Sequence, residues 1–114
     1  LRLKASDRLR GGLYHQLRIE VRAGHRLEHP ALVLGPGWLD DETLNGIIPD
    51  PAEQSSRDGR LVLRFDPLAA GERLVVLVDL QVNPTDVTRR TVDVAVEDGG
   101  RPLARLTRDL VVFP

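Results

Sequence analysis

Hydrophobic residues along the chain recur mostly at every second position, which is typical of β-strands with one buried and one exposed face. Leu17, Ile19 and Val21 alternate with Arg18 and Glu20 in the clearest example. The stretch LVVLV at 74–78 is apolar on both faces, which indicates a central strand or one whose outer face meets a partner. We predict seven to eight strands, at residues 1–5, 13–22, 31–34, 44–48, 60–66, 72–82, 90–97 and 103–113.

Glycine, proline and aspartate separate these stretches at short intervals, as turns between antiparallel strands require. The sequence EDGGRP predicts a hairpin over residues 97–102, and DG at 58–59 predicts another turn. The polar segment 49–58 is predicted to be a mobile loop. We therefore predict a single all-β domain over residues 1–114, an antiparallel β-sandwich or barrel.

Composition narrows the range of functions. The 16 basic and 17 acidic side chains leave a net charge of −1, so no overall field draws the chain to nucleic acid or to an anionic membrane surface. The absence of cysteine excludes thiol catalysis and cysteine zinc sites. No serine lies in a G-x-S-x-G elbow, and we predict neither a cofactor nor an enzyme activity.

The segment HRLEHP at 25–30 contains the H-x-x-E-H pattern of inverted zinc proteases. That chemistry needs a helix, which puts both histidines on one face while the glutamate activates a zinc-bound water. Here Pro30 favours extended geometry at His29, and Gly24 disfavours a helix on the other side. We interpret His25, Glu28 and His29 as surface or turn residues and predict no metal site. A small zinc hydrolase remains the least favoured alternative.

Two further candidates lie in the segment 38–42. The cluster of Asp40, Asp41 and Glu42 has the oxygen ligands that Ca²⁺ prefers, although a solvated loop or a helix N-terminus is the favoured interpretation. Whether the cluster binds an ion stays open. Trp38, the only tryptophan, could stack on a sugar or a partner, although we favour a role in capping the core.

Several apolar residues are predicted to lie on outer strand faces. If the strands that carry them are neighbours, they form one exposed apolar patch, which would mark an interface. The alternative is that a loop or a missing part of the chain covers them. Together with Trp38, the candidate interaction surface comprises Val62, Val75, Leu77 and Ala95.

The second half of the chain contains a step formed by Leu68, Gly71 and Glu72 before a strand, then the Asn83-Pro84 turn, the hairpin and the last strand. In these features it resembles bacterial extracytoplasmic immunoglobulin-like modules. Six further segments are 37–39 (GWL), 43–45 (TLN), 48–49 (IP), 57–61 (RDGRL), 82–85 (VNPT) and 89–90 (RR). With these segments the whole chain resembles the exterior domain of uncharacterised single-pass bacterial membrane proteins from GC-rich genomes.

This resemblance implies an immunoglobulin-like antiparallel β-sandwich of seven to eight strands that lies on the extracytoplasmic face of the cell membrane. The resemblance also implies a transmembrane segment, outside this sequence, that would hold the domain there, and a chain without methionine fits this expectation. We expect a non-catalytic interaction or assembly module that binds an unknown protein partner or itself. A carbohydrate-binding or adhesion module is the alternative, and it requires Trp38 and Tyr14 exposed on one surface. A cytoplasmic domain of the same fold also remains open.

Overall fold

The structure, a computed structural model, describes the backbone of residues 1–9, 14–35, 42–82 and 88–112. Side chains are described for residues 1–6, 16–35, 46–81 and 93–107. This part of the chain contains nine strands, where seven to eight were predicted. They are β1 (Arg2–Leu9), β2 (Tyr14–Arg22), β3 (Pro30–Gly35), β4 (Glu42–Ile48), β5 (Glu53–Arg57), β6 (Arg60–Arg64), β7 (Arg73–Val82), β8 (Thr88–Asp98) and β9 (Arg101–Val112).

The strands form two antiparallel sheets, one of four strands in the order β1-β2-β7-β4 and one of five in the order β5-β6-β3-β8-β9. The neighbours β1-β2-β7 and β3-β8-β9 correspond to strands A-B-E and C-F-G of immunoglobulin domains. The predicted all-β, immunoglobulin-like sandwich is therefore confirmed. Within the described ranges, no helix is long and apolar enough to span a membrane.

The core lies between the sheets and is built from the apolar side of each alternating strand. Leu17, Ile19 and Val21 of β2 meet the inward residues of the other strands, as the period of two predicts. Each fully buried Val, Leu or Ile stabilises the fold by about 1.5–3 kcal/mol relative to an exposed one. The remaining members of this cluster are Leu32, Leu34, Leu61, Leu63, Phe65, Val76, Val78, Leu80, Val94 and Val96.

Strand β5 corrects the prediction of a mobile loop over 49–58. All five of its residues, EQSSR, are exposed, so no hydrophobic alternation marks the strand in the sequence. It forms because Asp58 (φ 53°) and Gly59 (φ 76°) make a tight turn that pairs it with β6. A similar turn at Gly99 and Gly100 joins β8 to β9 and confirms the predicted hairpin.

A second, smaller hydrophobic cluster closes one end of the sandwich. The connection from β2 to β3 carries Leu27, which is 0% exposed and packs with Ala23 and Leu68. Its N–H donates to the carbonyl of Leu68 (2.8 Å), and the N–H of Leu68 donates back to its carbonyl (3.0 Å). We call Ala23, Leu27 and Leu68 the end cluster.

Candidate functional site

The H-x-x-E-H segment is not helical in the structure. Leu27, at its centre, forms an isolated bridge with Leu68, a pairing that uses the backbone groups a helix would need. The N–H of His29 donates to an Asp98 carboxylate oxygen (2.8 Å), while its carbonyl accepts the N–H of Gly99 (3.1 Å). The zinc-hydrolase alternative therefore lacks the helix it requires. Among the described residues no three potential ligands come together as a metal site.

Several predicted candidates fall where the structure does not describe their side chains. Trp38, Asp40 and Asp41 lie outside the described residues, and only the backbone is described for Tyr14 and Glu42. Tyr14 begins β2 opposite Gln81, and Glu42 begins β4. The calcium and sugar-stacking hypotheses for these residues stay predictions.

The four outward apolar residues do not form one patch. Val75 and Leu77 lie on β7 in the four-stranded sheet, whereas Val62 and Ala95 lie on β6 and β8 in the five-stranded sheet. The outer faces of two packed sheets point in opposite directions. Each face must therefore be considered by itself.

The outer face of the five-stranded sheet is covered by its own side chains. Val33 lies between Val62 and Ala95 on this face, yet it is only 2% exposed. The Arg57 guanidinium donates to both carboxylate oxygens of Glu97 (3.0 and 2.8 Å). Because β6 and β3 separate β5 from β8, the Arg57 side chain reaches Glu97 only by crossing this face. Among the described residues of this face, little apolar surface is left for a partner.

A polar cluster at one end of the same face is also satisfied within the chain. Asp93 accepts hydrogen bonds from the Thr107 hydroxyl (2.8 Å) and the Arg105 guanidinium (2.7 Å). These two donors, with the charge of Arg60, hold the pKa of the Asp93 carboxyl below its usual value. The Arg60 side chain lies directly over Gly35, where a Cβ would collide with it. These contacts join β8 to β9 and bring β6 against β3, so the cluster has the features of a contact that holds neighbouring strands together.

The outer face of the four-stranded sheet is more open. Leu77 and Val75 are half-buried on β7, and the register sets Ile48 of the edge strand β4 directly opposite Leu77. Ile48 is 59% exposed. We call Ile48, Leu77 and Val75 the apolar strip. Sequence reasoning missed Ile48, although two adjacent isoleucines in a half-buried strand indicate that one of them faces outward.

Charged side chains border the apolar strip. Arg18 donates to Glu20 (3.2 Å), and Arg73 lies 3.5 Å from the other oxygen of the same carboxylate. The hydrogen bond from Arg18 lowers the pKa of the Glu20 carboxyl, and the charges of Arg73 and Lys4 lower it further. Across the face, the Gln16 amide donates to Asp79 (3.1 Å). The strip thus has a polar rim.

The described interior has a small gap between the core and the end cluster. No polar group faces it, so it offers nothing to orient a ligand. The outer face of the four-stranded sheet is the candidate site that this leaves among the described residues. The gap is lined by Val21, Pro30, Ala31, Leu32, Phe65, Leu68, Leu74 and Val96.

Comparison with known proteins gives a match of fold alone. No protein-family model matches the chain, and no curated protein sequence does. The chain is similar in structure to the chitin-binding domain of a chitinase from Pyrococcus furiosus, with a TM-score of 0.51 and 12% sequence identity. The match covers 90% of this chain and 100% of that domain. At this identity the similarity supports a shared β-sandwich fold.

Proposed function

We propose that this domain is a non-catalytic interaction module that docks a protein partner through the apolar strip. The observation that carries the proposal is the exposure of Ile48 beside Leu77 and Val75. Exposed apolar surface with a polar rim is the arrangement of a protein–protein interface.

The contrast between the two sheets supports this choice of face. On the five-stranded sheet, Val33 is buried by the chain itself, so a partner would gain little by covering it. On the four-stranded sheet, Ile48 lies on an edge strand and remains 59% exposed. Complete burial of an exposed isoleucine contributes about 1.5–3 kcal/mol, so covering the part of Ile48 that is still exposed contributes about 1–2 kcal/mol and makes it a suitable anchor residue.

The proposal extends to location. We propose that the module acts on the extracytoplasmic face of a bacterial membrane and is held by an anchor outside this sequence. The support is the resemblance carried by segments such as RDGRL at 57–61 and VNPT at 82–85. Labelling of a single cysteine introduced at Ser56 by a membrane-impermeant maleimide in intact cells tests it. Labelling only after lysis would contradict it.

Site-directed photo-crosslinking tests the docking surface. A photoreactive phenylalanine derivative is introduced at position 48 of the full-length protein in its native host. Gln54, exposed on β5 of the opposite sheet, is the matched control position. We expect a protein adduct of discrete mass from position 48 alone, and its loss when Leu77→Asp is added. An adduct of twice the mass of the chain would identify the partner as a second copy.

Failure has a clear form in this experiment. If positions 48 and 54 give the same adducts, or if Leu77→Asp leaves the adduct unchanged, the apolar strip is not the docking surface. Far-ultraviolet circular dichroism of each variant verifies that the β-sandwich is retained.

The similarity to a chitin-binding domain favours carbohydrate binding as the second candidate function. Chitin is the natural first probe. Co-sedimentation of the domain with chitin, reduced by substitution of Trp38 or Tyr14, would support this candidate. Absence of binding to chitin and to soluble chito-oligosaccharides would remove its present support.

A further inference from the structure

Three arginines lie in one row across the outer face of the four-stranded sheet. The register pairs Arg2 of β1 with Arg22 of β2, and Arg22 with Arg73 of β7. All three side chains are exposed. Since adjacent strands lie about 4.8 Å apart, the row spans about 10 Å. We call Arg2, Arg22 and Arg73 the arginine row.

This arrangement is unfavourable for the isolated domain. Like charges directly opposite each other on neighbouring strands repel. Neither Arg2 nor Arg22 has a salt bridge or a side-chain hydrogen bond with any residue that the structure describes. Among the described residues, Arg73 forms a salt bridge only with Glu20, whose carboxylate also binds Arg18. The row therefore presents three cationic groups with one described carboxylate, Glu20, beside them, and Arg18 also binds that carboxylate.

The wider face shows the same imbalance. Lys4 and Arg18 add two positive charges to this face outside the row. Among the described side chains, the carboxylates on this face are Glu20 and Asp79. The whole chain carries a net charge of −1, so the excess of positive charge among the described side chains of this face is a local property. A cationic field on one face of a near-neutral chain steers an anionic ligand to that face.

We propose that the arginine row binds an acidic, extended segment of a protein partner. The proposal rests on the docking function assigned to the apolar strip and names the chemistry of what docks there. Arginine binds carboxylates through two parallel N–H···O bonds, which favours aspartate and glutamate side chains.

The position of the apolar strip argues for a peptide as the source of the charge. Val75 follows Arg73 by two residues on the same face of β7, and Leu77 follows by four. A ligand that covers both must carry carboxylates and aliphatic side chains close together. An extended peptide does so, because acidic and apolar side chains two residues apart lie on the same face of it. A sulfated polysaccharide supplies the charge without the aliphatic groups.

Fluorescence anisotropy with a defined probe tests the proposal. The probe is a short, labelled peptide in which pairs of glutamates alternate with pairs of valines, so that each face of the extended chain carries both side chains. The same peptide with serine in place of valine is its comparator. The matched variants are Arg22→Gln in the row and Arg101→Gln on β9, an exposed arginine that also has no side-chain partner among the described residues. Both remove one positive charge.

We expect the glutamate–valine peptide to bind more tightly than the glutamate–serine peptide, and both to bind more weakly as salt is raised. Arg22→Gln weakens binding about threefold, since an exposed ion pair is worth up to about a factor of five. Arg101→Gln leaves the affinity unchanged. Arg22→Gln does not lower the thermal stability of the domain, because it relieves repulsion within the row.

Each contrary result overturns the proposal. No measurable binding of either peptide, or equal effects of Arg22→Gln and Arg101→Gln, shows that the row does not recognise acidic segments. Heparin or anionic phospholipid vesicles that bind through Arg22 while the peptides do not bind would assign the row to a different ligand class. A discrete crosslink from position 48 without peptide binding retains the docking module and rejects its acidic ligand.

Discussion

Replacing Leu27 by alanine removes a fully buried side chain from the middle of the HRLEHP segment. The two histidines that flank it at positions 25 and 29 are exposed. If the segment has a structural role, stability depends on the leucine and not on the histidines. If it were a metal site, the histidines would matter more.

The expected cost follows from the surroundings of Leu27. Its side chain packs against Ala23 and Leu68, with half-buried Leu74 and Leu103 beside them. Substituting a buried leucine by alanine costs about 2–5 kcal/mol, depending on how far the site collapses. The end cluster is small and lies at one end of the sandwich, so partial collapse is expected and the cost is about 3 kcal/mol. The backbone bonds to Leu68 do not depend on the side chain.

Urea unfolding measures this cost. A single domain of this size is stable by about 5–15 kcal/mol, so the Leu27→Ala variant remains folded in water. With an m-value of about 1–3 kcal/mol/M, the unfolding midpoint falls by about 1–3 M. His25→Ala and His29→Ala serve as controls and change stability by less than about 0.5 kcal/mol.

Two results would refute this reasoning. A cost below about 1 kcal/mol for Leu27→Ala would mean that the end cluster does not stabilise the fold. A rise in the midpoint on addition of Zn²⁺ that disappears in His25→Ala and His29→Ala would restore the metal site.

Three further predictions concern the sheets and their turns. Wild type is more stable than Asp93→Asn by less than about 1 kcal/mol, because the site is exposed. This difference is present above the pKa of the carboxyl in the unfolded chain and vanishes as pH falls through its lowered pKa in the folded chain. Urea unfolding at pH 7 and pH 3 checks this. Gly59→Ala lowers the free energy of unfolding by about 1–2 kcal/mol because the φ of Gly59 is positive. Gly46→Ala, at a site that also has open space for a Cβ, does not carry this cost. Thermal unfolding of the two variants checks the difference. Gly35→Ala lowers stability by about 1–3 kcal/mol because its new Cβ collides with the Arg60 side chain. In a double-mutant cycle, adding Arg60→Ala restores part of this loss, and additive effects of the two substitutions would contradict the contact.

The predicted candidate surface was divided by the structure. The sequence identified Val75, Leu77, Val62 and Ala95 as outward apolar residues, since the period of two separates the faces of each strand. It could not assign β7 to one sheet and β6 and β8 to the other, because sheet membership depends on long-range pairing. The exposure of Ile48 depends on the edge position of β4, which is equally a tertiary property.

The arginine row shows this limit most clearly. Arg2, Arg22 and Arg73 are far apart in the chain, and each is an unremarkable surface residue in its own strand. The near-zero net charge suggested no electrostatic partner. Only the registers of β1 with β2 and of β2 with β7 bring the three charges together.

Local information was sufficient for the alternating strands, the buried face of each strand and the hairpin at Gly99 and Gly100. Side-chain alternation and a positive φ are properties of a few consecutive residues, so they can be read without the rest of the fold. Strand β5 has neither an apolar face nor a buried residue, and it exists because β6 offers it hydrogen bonds. The tertiary structure alone decides which faces remain exposed and which charges become neighbours. The reason is that strand pairing joins segments that are distant along the chain, and neither segment alone specifies its partner.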